Sequence, residues 1–149
     1  MLSEILNTSK MNQLIPYLNF NGNCREAMTF YQSCLGGELS MQTISESPVA
    51  PQCPGAIQEH IVHSTLIKEN FYLMASDMPY PDGYLHGNNF SLHVNCRSED
   101  EINTIFNKMA AGGKIILPVR QEFWGALFGT FADKFGIRWQ FHYDKNEIN

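Results

Sequence analysis

"LNFNGNCREAMTFYQSCLGGEL" (residues 18–39) is followed later in the chain by "LHVNCRSEDEINTIFNKMAAGGKI" (92–115), and the two run in the same order. Each begins with an alternating strand-like segment, passes through a short polar break, and enters a stretch with helical spacing of apolar residues. In the first stretch that stripe is Ala27, Phe30, Tyr31, Cys34 and Leu35; in the second it is Ile102, Ile105, Phe106 and Met109. Asn23 with Glu26, and Ser98 with Glu101, have the spacing of a helix N-cap and its reciprocal partner. Gly36-Gly37 and Gly112-Gly113 end the two helices, as glycine just beyond a helix terminus does. The glycine pairs lie 76 residues apart, while Leu18 and Leu92 lie 74 apart, so this pairing of the leucines implies a two-residue insertion in the second copy.

Outward from the first stretch, "LIPYLNF" (14–20) reads as its opening strand. "ELSMQTIS" (38–45), "IVHSTLIK" (61–68) and "FYLMASD" (71–77) follow the helix, the last two joined by a turn at Glu69-Asn70. Between them "ESPVAPQCPGAIQEH" carries Pro48, Pro51 and Pro54 and is expected to be an irregular loop. The second stretch is preceded by the breaker "MPYPDGYLHGNN" (78–89) and opens with the strand "FSLHVNC" (90–96). After its helix come "KIILPVRQ", "ALFGTFAD" and "IRWQFHY". The order strand–helix–Gly-Gly–strand–strand–strand is thus used twice, and an internal repeat outranks element-by-element assignment. The expected fold class is α+β, two tandem βαβββ modules over about 14–77 and 89–143 forming curved mixed sheets. Residues 11–149 are read as one domain, 1–10 as a tail, and Met11 as a possible alternative start.

In "GIRWQFHY" (136–143) a glutamine sits between Trp139 and Phe141. Side chains alternate along a strand, so Trp139 and Phe141 share one face with Ile137, and Gln140 shares the other with Arg138 and His142. A polar face turned inward needs partners or a wet cavity.

A formal charge of −5 on 149 residues and the lack of a Lys/Arg cluster argue against nucleic acid or an anionic membrane as partner. The 17% charged fraction suits a neutral-polar surface partly covered in an oligomer. Cysteines 24, 34, 53 and 96 have no C-x-x-C spacing, and a chain of this length does not need disulfides, so free thiols in a reducing cytoplasm are expected. "MLSEILNTSK" carries an acid and no basic run before an apolar one, unlike a signal peptide. No segment approaches the ~18–20 apolar residues of a membrane span.

"NFNGNCREAMTFYQSCLGGEL", "HSTLIKENFYLMASDMP" and "FWGALFGTFADKFGIRW" together resemble the PhnB-like branch of the vicinal-oxygen-chelate superfamily, which includes glyoxalase I, extradiol dioxygenases and bleomycin-resistance proteins. The resemblance covers residues 14–143. It implies a homodimer and a cavity floored by one side chain from each of four strands, which in metal-dependent members are His or Glu. Carried over by strand position, those places hold Ile15 (with Tyr17 on the same face), Met74, Ser91 and Gln140. A thioether and neutral groups make a poor site for a hard dication, so no metal and no cofactor are expected.

His63 and His93 lie on the polar faces of their strands and are expected near the cavity, each as a hydrogen-bonded strand histidine or as an acid–base group. His60 and His63 point to opposite faces of an extended strand and do not chelate as a pair. A metal site of His63, His93 and either Asp77 or Glu122 is the alternative weighed beside the metal-free reading. Asp77 is either a turn-starting carboxylate or an orienter of histidine or ligand. In the aromatic run, alternation sets Trp124 and Phe128 against Phe123, Leu127 and Phe131, one set core and the other ligand wall or dimer contact. Gly125, Gly129 and Gly136 suit bends or close backbone approach.

The candidate ligand-binding set is therefore Ile15, Tyr17, Met74, Ser91, His93, Trp124, Phe128 and Gln140, with His63, His93 and Asp77 as catalytic candidates. One reading is a metal-free module that binds a small metabolite or drug. The other is a lyase, isomerase or dioxygenase using those three residues with or without an atypical metal. The label of 3-demethylubiquinone methyltransferase often attached to the family finds no support in a glycine-rich nucleotide loop, which the sequence lacks.

Overall fold

The computed structural model describes residues 13–77 and 81–147. The expected tail 1–10, Met11 and the start of the "MPYPDG" breaker lie outside the described residues. Among the described residues, ten elements of regular structure follow the repeated order: β1 (Tyr17–Asn19), α1 (Cys24–Leu35), β2 (Glu38–Thr43), β3 (Ile61–Lys68), β4 (Phe71–Ser76), β5 (Leu92–Asn95), α2 (Glu99–Ala110), β6 (Lys114–Gln121), β7 (Leu127–Ala132) and β8 (Arg138–Tyr143). The proline-rich stretch between β2 and β3 holds two single 3₁₀ turns, Ala50–Gln52 and Gly55–Ile57.

Two four-stranded mixed sheets have the same internal order, β1-β4-β3-β2 and β5-β8-β7-β6. In each, the first strand pairs parallel to the last, and the other pairings are antiparallel. The described residues divide into two compact units: residues 13–28 with 37–77, and residues 29–36 with 81–147. The last turns of α1 therefore belong with the second unit.

The strand register corrects the expected insertion. Leu18 pairs with Ala75, and Val94 pairs with Phe141. Past the strand ends, the Phe20 amide donates to Ser76 O at 2.8 Å and the Cys96 amide to His142 O at 2.7 Å. Leu18 thus corresponds to Val94 and Phe20 to Cys96, the same spacing as the glycine pairs, and there is no insertion at this point. Leucine identity misled because Leu92 and Val94 occupy the same face of one strand; hydrogen-bond register, which sequence does not display, decides between them.

The two glycines of each pair do different work. Gly36 and Gly112 both have φ +79°, the left-handed conformation that closes a helix. Gly37 and Gly113 instead lie so close to the carbonyls of Ile67 and Ala132 that any side chain would strike backbone.

The helix starts are held in contrasting ways. At α2 the expected cap is present: the Glu101 amide donates to Ser98 Oγ at 3.0 Å, and Glu101 reaches back to the Arg97 amide at 3.1 Å. At α1, Asn23 sits at the cap position with its carbonyl accepting from Ala27 N. The Cys24 amide, however, is taken by Asp77, from the end of β4.

Leu18, Phe20, Met28, Ile44, Ile61, Leu66 and Ala75 are buried in the first unit, and Ile102, Phe106, Met109, Phe131, Trp139 and Phe141 in the second. Trp139 packs edge-on against Tyr31 of α1, and Phe106 of α2 packs against Phe131 and Phe141. Asp133 is the buried polar centre of the second unit. It accepts hydrogen bonds from the Tyr31 hydroxyl at 2.5 Å, Trp139 Nε1 at 2.9 Å, and the Phe135 and Ile137 amides.

Candidate functional site

Alternation answers where Gln140 points. Trp139 and Phe141 are 3% and 0% exposed, while Gln140 lies half-buried on the opposite face. That polar face of the second sheet is a connected network. His93 is the direct parallel partner of Gln140, and Asn95 that of His142. His93 Nδ1 lies 3.1 Å from Gln140 Oε1, and His93 Nε2 lies 3.0 Å from Asn95 Oδ1. His142 Nδ1 approaches the same Asn95 oxygen at 3.2 Å, and the two imidazole centroids are 5.7 Å apart. Across the antiparallel pairing, Thr130 faces Gln140 and Phe128 faces His142. Arg120, opposite Phe128, pairs with Glu122 at 3.3 Å.

The corresponding face of the first sheet follows the same plan with different chemistry. Tyr17 is the parallel partner of Met74, which faces Thr65 across the antiparallel pairing. The Tyr17 hydroxyl lies 3.4 Å from His63 Nδ1, with ring centroids 6.0 Å apart. By register, Tyr17 corresponds to His93, His63 to Phe128, Thr65 to Thr130, Asn19 to Asn95 and Met74 to Gln140. Tyr17 with His63 is thus matched by His93 with Phe128 on exchanged strands, and the second face carries a further imidazole, His142.

The expected site residues fall into these faces unevenly. In the first unit, Tyr17, His63 and Met74 share a face, and Ile15 is half-buried just before β1. In the second, His93, Phe128 and Gln140 share a face, and Ser91 is exposed just before β5. Trp124 precedes β7, is 49% exposed, and stacks edge-on with the 96%-exposed Phe123 rather than with the network. Phe131 of the opposing aromatic set is core. Gly129 lies where a side chain would meet Phe106 and Val119, and Gly136 where one would meet His86.

Asp77 is 6% exposed, and its two oxygens accept from the amides of Gly22, Cys24 and Ile61 at 2.9, 2.9 and 3.0 Å. Such a carboxylate fixes a helix start to a strand. Alternation set His142 on the face of Gln140 and Asn95 on that of His93, but neither these two nor Asp133 entered the candidate set. Asp133 has partners as far away as Tyr31, which no local pattern shows.

The donor set bears on the metal that the superfamily suggests. Ile15 and Met74 in one unit, Ser91 and Gln140 in the other, offer an aliphatic chain, a thioether, a hydroxyl and an amide. None is anionic, and such donors do not fit a hard divalent ion. Among the described residues, no three His, Cys, Asp or Glu side chains are grouped to hold a metal. Of the thiols, none is in a disulfide. Burial pushes Cys24 and Cys96 up to about 12, with Asp77 adding to the effect at Cys24 and Glu101 at Cys96.

The family model described as 3-demethylubiquinone-9 3-methyltransferase matches residues 12–142. The chain belongs to this PhnB-like family. Protein YjdN of Escherichia coli (strain K12) is 33% identical over 143 residues, covering 90% of this chain and 97% of that protein. The crystal structure of protein PA1353 from Pseudomonas aeruginosa is 38% identical and superposes with a TM-score of 0.79, covering 89% of this chain and 98% of that one. The PhnB protein from Bacillus cereus is 26% identical with a TM-score of 0.71, covering 89% and 100%. A member of the glyoxalase/bleomycin resistance protein/dioxygenase superfamily from Sphaerobacter thermophilus, 17% identical over 90% of this chain and 99% of that one, shares the fold with a TM-score of 0.56. These PhnB-like relatives fix fold and family; none brings an established activity to this chain. No helix among the described residues is long and apolar enough to cross a membrane.

Proposed function

We propose that this PhnB-like protein is a metal-free binding module for a small, partly aromatic metabolite or drug, held at the polar faces of its sheets, and that it works as a cytoplasmic homodimer. The observation that carries the reading is the face around Gln140: amide, hydroxyl and imidazole groups with Phe128 as the cross-strand neighbour of His142, and, among the described residues, no three His, Cys, Asp or Glu side chains grouped to hold a cation. A few fixed polar groups among apolar walls are the usual make-up of a small-molecule site. The dimer is supported by exposed apolar side chains, Leu85 at 92%, Phe90 at 67% and Phe123 at 96%, and sedimentation should give twice the chain mass.

The test is a thermal-shift screen of aromatic and heterocyclic compounds with and without EDTA. A ligand near 100 times its Kd should raise Tm by about 5–10 °C, unchanged by the chelator. A screen without a stabiliser, or one equivalent of bound metal in untagged protein, would overturn the reading. The two imidazoles on one face favour a second reading, acid–base catalysis of the lyase or isomerase kind with His93 as the proton-transfer group; turnover that His93→Gln abolishes would establish it.

A further inference from the structure

We propose that Asn95 locks the tautomer of His142, so that His142 Nε2 is a bare acceptor beside Phe128, and that this spot takes an aromatic ring bearing a hydroxyl group. The proposal rests on the binding reading above and names its ligand chemistry. Asn95 Oδ1 is approached by two imidazole nitrogens, His93 Nε2 at 3.0 Å and His142 Nδ1 at 3.2 Å. A carbonyl oxygen only accepts, and its two lone pairs can serve both rings. Each of these nitrogens therefore carries its proton.

Glu147 Oε2 stands 4.0 Å from the same His142 Nδ1, beyond hydrogen-bond reach, which leaves Asn95 as its acceptor. A neutral imidazole has one donor and one acceptor, so with Nδ1 protonated the acceptor is Nε2. The group that this nitrogen can receive is an N–H or O–H donor. What stands beside it on the neighbouring strand is aromatic: Phe128 is the direct cross-strand partner of His142, and a cross-strand aromatic neighbour offers a surface on which a ligand ring can pack. At His93 the same accounting shows why a glutamine is used. With Nε2–H given to Asn95, a neutral His93 leaves Nδ1 as an acceptor, so Gln140, whose Oε1 stands 3.1 Å away, has to turn its amide to donate an N–H there. A methionine or an ionised carboxylate has no hydrogen to donate.

Two measurements test this. Long-range ¹⁵N–¹H spectra of the ligand-free protein at pH 8 should show His142 as the Nδ1–H tautomer, and Asn95→Leu should release it to a mixture. Titration with 2-naphthol and 2-methoxynaphthalene should then give about five- to tenfold tighter binding of the naphthol, the worth of one net hydrogen bond. That preference should vanish in His142→Phe, which keeps the ring volume, while both probes still bind. An Nε2–H tautomer at His142, as expected if the amide nitrogen of Asn95 faced the rings, would overturn the lock. Equal binding of the two probes would overturn the hydroxyl assignment while leaving the broader binding reading intact. Binding of neither probe, with other aromatic stabilisers active in the thermal screen, would do the same.

Discussion

The two sheets share one blueprint and differ in what they present. Thr65 and Thr130, Asn19 and Asn95 are retained at matching register positions, whereas Tyr17 with His63 becomes His93 with Phe128, and Met74 becomes Gln140. The first face pairs a phenol with an imidazole at 3.4 Å beside a thioether; the second joins two imidazoles through an asparagine and a glutamine. Their hidden sides also differ. A carboxylate in the first unit, Asp77, secures the start of α1 to β3 through backbone amides, and one in the second, Asp133, collects a tyrosine, a tryptophan and a turn. Matching backbones therefore permit separate chemistries, because alternation isolates the face that must pack from the face that can vary.

That contrast breaks most severely at the buried carboxylates. Asp133→Ala strands the Tyr31 hydroxyl and the Trp139 indole N–H in the core, frees two part-buried amides, and should cost about 3–5 kcal/mol in urea denaturation. A loss under 1 kcal/mol would mean that water replaces the carboxylate. Asp77→Ala should follow at about 2–4 kcal/mol, since two buried amides and the part-buried one of Gly22 lose their acceptor. Ser98→Ala, the equivalent loss at α2, should cost only about 1 kcal/mol because that cap is local and exposed. If the two cap variants were equal, the long-range attachment of α1 would carry no special weight.

Exchanging the variable position sharpens the comparison at smaller cost. Met74→Gln and Gln140→Met should each shift stability by less than about 1.5 kcal/mol. Gln140→Met should nonetheless change the ¹⁵N shift of His93 Nδ1, whose partner it removes, and Met74→Gln should leave it alone. The least effect concerns the thiols. Cys24 and Cys96 are raised to about 12, so at pH 8 they should react with a disulfide reagent far more slowly than Cys53. Because these thiols hold their protons more firmly folded than unfolded, their contribution is complete below the unfolded thiol range near pH 8.5 and is lost as pH rises toward 12. Stability that rose over that interval would contradict the burial assigned to them.

Much of this was legible from residues alone. β3 and β6 have the spans that alternation and apolar runs give them, and both helices end at their glycine pairs. The opening strand was read too long: Pro16 lacks an amide to donate, and regular pairing is confined to Tyr17–Asn19. Trp124 was placed with Phe128 by extending alternation backward through Gly125, whose φ of +97° ends the extended backbone that alternation requires. Asp77 was read first as the start of a turn and second as a site residue, since a sequence shows a carboxylate but not the amides that converge on it.

The chain's own order of residues determined the repeat, the faces of each strand and the class of fold, because periodicity and glycine placement act over a few neighbouring positions. Only the tertiary structure decided that Leu18 answers to Val94, that Asp77 and Asp133 are buried fastenings, and that His93, Asn95, Gln140 and His142 form one network. Those outcomes depend on hydrogen-bond register and on partners tens of residues away, and geometry at that distance is set by packing.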